Sequence, residues 1–268
     1  MEISMNSIKL LREKSGAGMV DCKKALEETG GDIDKAMEAL RKKGIAKAAK
    51  RNDREASEGM IMIAANEAGN EGYLLEINSE TDFVARNEKF QKLAQDAFDL
   101  LKTNKPADLD GLLNLAMENG TLKENLASLS GTIGENIGVK RFAVLAGASV
   151  AAYSHAGGRM GVLVSLSKAG ETELAREIAM QIAASNPKYI KREEVPTAEM
   201  EKEKEIYKET LKKEGKPEQI MEKIISGKLD KYYEDVCLLE QEYIKDEGKK
   251  IRDILGDVEV EGFIRYSL

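Results

Sequence analysis

Met60-Ile61-Met62-Ile63-Ala64-Ala65 and Tyr73-Leu74-Leu75-Glu76-Ile77 are two short apolar runs separated by Glu67-Ala68-Gly69-Asn70-Glu71-Gly72. Runs of this length, rich in Ile, Leu and Tyr and joined by a polar, glycine-bearing connection, predict a β-hairpin. The period then changes. Phe90, Leu93, Ala94, Ala97, Phe98 and Leu101 recur at helical spacing, and Lys105-Pro106 breaks the pattern. The same order returns further on. Val150–Ser154 and Val162–Leu166 are strand-like, Ala156-Gly157-Gly158 joins them, and Leu174, Ile178 and Ile182 mark a following helix. Two hairpin-plus-helix units in one chain predict an α+β fold with a core of two related subdomains, each an antiparallel sheet covered by helices. The relation lies in the pattern and not in residue identity.

Outward from this core, a further helix is expected from about Thr121, with Leu122, Leu126, Leu129, Ile133 and Ile137 on one side. The first 44 residues read as three short helices. Ile8 and Leu11 mark the first, which Ser15-Gly16-Ala17-Gly18 ends; Met19, Cys22 and Leu26 share a face of the second, and Gly30-Gly31 stops it. Asp32 is a fitting N-cap for the third, whose buried stripe is Ile33, Ala36, Met37 and Leu40 and whose end is expected at Gly44. Ile45–Glu58 is polar, mixed in charge and expected to be a partly helical linker. On the other side, Asn186-Pro187 opens a charged segment. Thr197–Lys213 and Pro217–Ser226 read as two helices around Gly215-Lys216, with Gly227 as a stop. The thin stripe Met200, Tyr207, Leu211 favours a projecting antiparallel hairpin, although an ordinary surface excursion has the same charge pattern. Strands at Val236–Leu239 and Val258–Tyr266, with a helix near Lys249–Leu255, then complete the second sheet. The expected domains are 1–52, a three-helix head; 53–140, the first core subdomain; 141–186 with 228–268, the second; and 187–227, the inserted hairpin.

Composition narrows the function classes. The 268 residues are 42% hydrophobic and 33% charged, the balance of a globular chain. No apolar run nears the roughly 18 residues that a membrane span needs. Met1-Glu2-Ile3-Ser4 does not begin a secretory signal, and two cysteines, Cys22 and Cys237, make neither a disulfide framework nor a thiolate metal site. A cytoplasmic location is expected. His155 is the one histidine, which removes most Ser-His, Cys-His and His-metal schemes. The phosphate-loop, HExxH and CxxC motifs do not occur. No catalytic residue, metal site or cofactor is expected, and the chain reads as a binding protein and not as an enzyme. Residues 1–54 hold 13 basic against 9 acidic residues, a charge of +4, which leaves −11 on the remainder of a chain whose total is −7. An acidic body opposes extended contact with a nucleic-acid backbone, whereas a basic head can be steered by an acidic protein surface.

The two hairpin-to-helix connections differ in length. Leu166 to Leu174 spans eight positions, while Ile77 to Phe90 spans thirteen. The excess holds Thr81-Asp82-Phe83-Val84-Ala85-Arg86-Asn87, in which Asn87 can cap the helix that follows and Ser79 or Thr81 a short turn before it. Phe83 either staples this connection onto its own helix or stands exposed as an aromatic contact for a partner.

Thr81–Asn87 resembles the signature of the elongation factor Ts family. So do Gly16-Ala17-Gly18-Met19 running into Asp21-Cys22-Lys23-Lys24-Ala25-Leu26, the block Ile133-Gly134-Glu135-Asn136-Ile137, the stretch His155–Val164 and the ending Gly262-Phe263-Ile264-Arg265. The resemblance implies a ubiquitin-associated-like head, a core of two related subdomains and an inserted coiled-coil hairpin. It implies one partner, elongation factor Tu, in its GDP-bound and nucleotide-free states, with no direct nucleic-acid or membrane contact; a homodimer is compatible with it. It also implies that Thr81, Asp82, Phe83 and Val84 form the turn that enters the partner's G domain and dislodges magnesium, with further contacts from Lys23, Arg86, Asn87 and His155. Some bacterial members continue past the last strand with a helical module that contacts the partner, a contact not expected from a sequence read to Leu268. Two other classes compete with exchange: an adaptor recognised through its head, which has no need of the Thr81–Asn87 excess, and an RNA-binding translation factor, which the acidic body opposes.

Overall fold

The computed structural model describes residues 3–51 and 53–268; the head boundary expected at Asn52, and Met1-Glu2, lie outside the described residues. The head consists of α1 (Met5–Ser15), α2 (Met19–Glu28) and α3 (Ile33–Ala49). Its ends are set by local chemistry. Ser4 Oγ accepts from Ser7 N at 3.0 Å, Gly16 turns left-handed at φ 70°, and Asp32 Oδ1 accepts from Asp34 N and Lys35 N at 3.1 Å each. Ile8, Leu11, Cys22, Ala25, Leu26 and Ala36 fill the small core between them.

The third helix does not stop at Gly44 but runs on to Ala49, through the first residues of the expected linker. Gly44 is the point at which α3 crosses a helix of the body, α7 (Leu122–Ile133). A side chain on Gly131 of that helix would lie 2.6 Å from the Gly44 carbonyl oxygen, so the two backbones meet with nothing between them. Arg41 Nη2 donates to Glu124 Oε2 at 2.6 Å and Arg51 Nη1 to the Ser130 carbonyl at 3.4 Å across the same junction. A glycine inside a helix costs about 1 kcal/mol against alanine. Here it permits a close helix crossing, which is why it fails as a stop signal.

The body contains β1 (Glu58–Ala65), β2 (Glu71–Ser79), α4 (Asp82–Ala85), α5 (Glu88–Asn104), α6 (Leu109–Leu113), the two-residue strands β3 (Ala116–Met117) and β4 (Gly120–Thr121), α7 (Leu122–Ile133) and β5 (Gly138–Ala146). It continues with β6 (Ser149–His155), β7 (Met160–Leu166), α8 (Thr172–Ser185), α9 (Thr197–Lys213), α10 (Glu218–Val236), β8 (Glu242–Tyr243), β9 (Asp246–Lys250), α11 (Ile251–Leu255) and β10 (Val260–Ser267). The fold is α+β, with antiparallel sheets ordered β1-β2-β5 and β10-β7-β6. In each, a hairpin is followed by a helix, and a later strand returns beside the hairpin's second strand.

Alternation along the central strands gives each sheet two apolar faces. Tyr73, Leu75 and Ile77 point to Phe90, Leu93, Phe98, Leu101 and Leu126 of α5 and α7. Val162, Val164 and Leu166 point to Ala175, Ile178 and Ile182 of α8 and to Leu255. The opposite faces meet each other: Ile61, Leu74 and Leu163 are buried together, flanked by Ile63, Ala143, Leu145, Ala152, Ile264 and Tyr266. The body is thus layered helix, sheet, sheet, helix. Gly72 and Gly161 let the sheets close. A Cβ on Gly72 would sit 2.7 Å from Leu163 Cδ2, and one on Gly161 2.8 Å from both Ile61 Cγ2 and Leu74 Cδ1.

One charge is sealed on the β2 face that meets the second sheet. Glu76 is 0% exposed and accepts from Arg141 Nε at 2.6 Å, Lys140 Nζ at 2.9 Å and Asn78 Nδ2 at 3.3 Å. The Arg141 guanidinium lies 3.9 Å from the centre of the Tyr266 ring, whose hydroxyl donates to the Phe142 carbonyl at 3.0 Å. Burial opposes ionisation of Glu76, but the bonds from Lys140 and Arg141 outweigh it and hold the carboxyl below the ordinary range.

Several expected boundaries shift. β5 has no counterpart among the expected strands, and the division at 140/141 passes through it; its alternation is interrupted by Lys140-Arg141, and its register with β2 slips between Glu76 and Ile77. The strand expected at Val236–Leu239 is absent. Val236 ends α10, and Leu238–Glu240 form a 3-10 turn. That apolar run is buried because Leu238 N and Leu239 N donate to the Tyr189 and Ile190 carbonyls, at 2.9 and 3.0 Å. Gly227 lies inside α10, which continues past the 227/228 division so that Tyr232 and Val236 can pack at the base of the hairpin. There Glu199 accepts from Tyr189 Oη at 2.7 Å and from Tyr232 Oη.

Two outcomes test these contacts. Gly131→Val should force α3 off α7 and lower stability by about 1–3 kcal/mol in thermal or urea unfolding; an unchanged midpoint contradicts the close crossing. Because its folded pKa is depressed, Glu76 contributes stability that is complete above the ordinary glutamate value of about 4.3 and is lost as the pH falls through the folded value. Melting temperatures recorded from pH 6 to 3 should therefore fall less steeply for Glu76→Gln than for the parent chain, from a lower starting point.

Candidate functional site

The thirteen-position connection is built as a rigid base with an exposed tip. β2 ends at Ser79, whose hydroxyl donates to the Thr81 carbonyl at 2.9 Å. Thr81 does not cap α4 with its side chain. Its hydroxyl donates to Glu135 Oε1 at 2.7 Å and its N–H to Oε2 at 3.0 Å. The neighbouring carboxylate, Glu80, accepts from Asn136 N at 2.6 Å and from Arg54 Nη1 at 3.4 Å. The turn that leaves α7 through Gly134, at φ 96°, therefore grips both residues that lead into α4. Val84 and Ala85 insert into the first core. Asn87 ends the connection by capping α5, accepting from Lys89 N at 2.9 Å.

Phe83 is 80% exposed. It makes no staple, because Val84 and Ala85 on the same short helix take the buried positions. Asp82, partly exposed, stands beside it and accepts from Nη2 of the exposed Arg86 at 2.8 Å. Arg86 thus reaches back over the turn, and Asp82, Phe83 and Arg86 form its outer edge.

His155 ends β6 and is exposed. Its Nδ1 lies 3.1 Å from the Tyr153 hydroxyl, with the ring centres 5.9 Å apart. The turn that follows is left-handed at Ala156, Gly157 and Gly158, with φ of 52°, 67° and 87°. Two contacts carry it to the first sheet. Ile61 N donates to the Gly158 carbonyl at 2.8 Å, and Arg159 Nη1 donates to Glu58 Oε2 at 2.7 Å. Arg159 holds the Glu58 carboxyl below its usual range, with Arg86 adding to the field, and Arg159 in turn senses Asp82. The α4 turn and the β6–β7 turn consequently occupy one end of the body.

The candidate residues therefore separate by placement. Asp82, Phe83, Arg86 and His155 present groups at that end; Thr81 and Val84 face inward and shape the connection, and Asn87 is exposed at its close, where its side chain caps α5. Lys23 belongs to α2 of the head, with its ammonium 3.7 Å from Glu27. Glu58, Glu135 and Arg159, which frame the site, carry no sequence signal of that role. Glu135 lies within the Ile133–Ile137 block and Arg159 within the His155–Val164 stretch, but neither position carries a periodic signal for its partner. Among the described residues no cluster of His, Cys, Asp or Glu is arranged to hold a metal ion, and no helix is long and apolar enough to cross a membrane.

A family model described as Elongation factor TS matches residues 80–268, from the entry to the α4 turn through β10. The chain belongs to the elongation factor Ts family. Members are translation elongation factors that act in nucleotide exchange, with elongation factor Tu as their general partner. In this elongation factor Ts chain, that end of the body carries a projecting aromatic ring, an adjacent carboxylate and a histidine on a braced frame.

If Glu135 holds the base, Glu135→Gln should weaken the grip on Thr81 by about 1 kcal/mol, since it replaces an ionised acceptor at a partly buried site. Amide exchange across 81–87 should quicken while that of α8 stays unchanged. Equal protection of 81–87 in the two proteins would show that Glu135 does not brace the turn.

Proposed function

We propose that this chain is a guanine nucleotide exchange factor that binds GDP-bound elongation factor Tu in the cytoplasm and stabilises its nucleotide-free state. The observation that carries this reading is Phe83, 80% exposed on a helix whose Val84 and Ala85 are anchored in the core. A large ring held in water costs free energy in the unbound protein and recovers it on entering an apolar pocket. Beside it, the Asp82 carboxylate can compete for groups that hold magnesium and phosphate. Thr81 and Val84 hold this turn in place, and Arg86, Asn87, His155 and Lys23 add contacts around it. No bond to GDP is made or broken.

The energetics require several contacts. A factor that weakens GDP a thousandfold must favour the nucleotide-free partner by about 4 kcal/mol. Linkage makes GDP weaken the factor equally. Burial of one Phe contributes only ~1.5–3 kcal/mol, so displacement of the magnesium contacts and docking by the second half supply the rest. The head, of ubiquitin-associated-like type, serves as an added docking element. The α9–α10 hairpin is a coiled-coil appendage, and its exposed Ile206 and Ile220 make it compatible with a homodimer.

Release of fluorescent GDP from elongation factor Tu, with and without the chain, tests the activity. Phe83→Ala should slow catalysed release roughly ten- to a hundredfold at subsaturating factor. Its melting temperature should hold, because an exposed side chain contributes within about 0.5 kcal/mol to stability. Normal release from the variant removes Phe83 from the mechanism, and no acceleration by the parent chain removes the function itself.

A further inference from the structure

Arg265 is the feature that the reading above does not use. It lies in β10, opposite Val162 of β7, which is itself opposite Tyr153 of β6. Ile264 and Tyr266, its neighbours along the strand, belong to the seam between the sheets. Arg265 therefore projects from the other face of the second sheet, on the same side as Tyr153, Met160 and Phe263, which pack at the margin of the second core. The next row across that face runs from Ser267 through Met160 to His155.

The side chain is half-buried, and its Nε–H is shielded from water without a hydrogen-bond partner. Among the described residues no carboxylate forms an ion pair with it. Burial lowers the guanidinium pKa, and no neighbouring charge offsets this. A chain with an acidic excess thus leaves one partly desolvated cation unmatched on an otherwise apolar margin. Such a group lowers stability, and an apolar side chain of similar length would serve the fold better. A guanidinium presents a planar fork of donors that matches a carboxylate.

We infer that Arg265 is a docking residue for an acidic side chain of the partner GTPase, on a face that continues from His155 across β7 to the edge strand β10. This rests on the exchange reading above, and it extends the contact surface beyond the α4 end. The partner carboxylate is expected to complete the hydrogen bonding of the guanidinium. The face then contributes affinity and orientation, while Asp82 and Phe83 act on the nucleotide site.

The test uses the full chain with elongation factor Tu carrying fluorescent GDP, over a range of factor concentrations. Arg265→Met keeps the length and packing of the stem and removes the charge; Arg265→Lys keeps the charge without the fork. For Arg265→Met the concentration giving half-maximal release should rise roughly tenfold or more, the loss expected when one member of a desolvated charge pair is removed. The maximal release rate should stay near that of the parent, and the half-maximal concentration should depend less steeply on salt. Its melting temperature should equal or exceed the parent value. Arg265→Lys should fall between the two. The inference fails if Arg265→Met exchanges like the parent at every concentration, or if its melting temperature drops, which would make the arginine a structural residue. It also fails if the loss appears only in the maximal rate. A parent chain that does not accelerate release would refute the exchange reading instead, so the two failures are distinguishable.

Discussion

The apolar seam in which Ile61 and Leu74 of one sheet meet Leu163 of the other fixes how the two halves of the body are placed. Sheet packing of this kind brings inner faces to about 10 Å, and bulk at the wrong position would hold them apart. Gly72 and Gly161 remove that bulk where side chains from the facing sheet come closest. The position of the second hairpin follows from this closure. Its turn reaches the edge of the first sheet, so that the Gly158 carbonyl can take the Ile61 N–H and Arg159 can reach Glu58. The exposed Arg159–Glu58 pair is worth little by itself. Its role is to fine-tune a juxtaposition that burial has already imposed, and that juxtaposition sets His155 at the same end as Phe83.

A binding surface of this kind gains from being ordered before the partner arrives, because ordering on contact subtracts from the affinity. The α4 turn meets that requirement from below. Two glutamates, Glu80 and Glu135, accept from three backbone or side-chain donors on Thr81 and Asn136, and Val84 and Ala85 are anchored among core side chains. The groups left outside are those for which water is a poor substitute for a protein partner: an aromatic ring, and a carboxylate bonded within the turn to the exposed Arg86 side chain.

Most of the fold could be read from the sequence where apolar spacing was unambiguous. The stripe Phe90, Leu93, Ala94, Ala97, Phe98, Leu101 is one buried face of α5, and the Asp32 and Asn87 caps sit where short polar side chains preceded periodic runs. Reading failed where a residue type has two structural uses. Gly44 and Gly227 look like helix stops, yet one makes a close crossing and the other is carried within a helix that buries residues beyond it. Val236–Leu239 looks like a strand because a short apolar run has no period that separates strand from turn. β5 was hidden by Lys140 and Arg141, charges that a strand pattern excludes unless a buried carboxylate such as Glu76 receives them. The candidate site was legible as a longer connection with a distinctive motif, but the exposure of Phe83 was not, since stapling and projection have the same local sequence. Glu135 lies 54 residues from its partner Thr81 in the chain, a distance at which no local pattern operates.

The head and the turn share one helix, and this alters how the head should be understood. A three-helix module joined by a free linker would act only as a tether, adding local concentration without influencing the α4 turn. Instead, α3 lies directly against α7 at Gly44 and Gly131, with Arg41 bonded to Glu124 near the N-terminal end of α7. Four residues beyond Gly131, after the helix has ended at Gly134, Glu135 grips Thr81. Contiguity does not by itself establish energetic coupling. It does mean that the surface of α7 exposed by loss of the head belongs to the same helix that positions Glu135. The basic head and the aromatic turn are thus referred to a single helix, and their separation is set by α7.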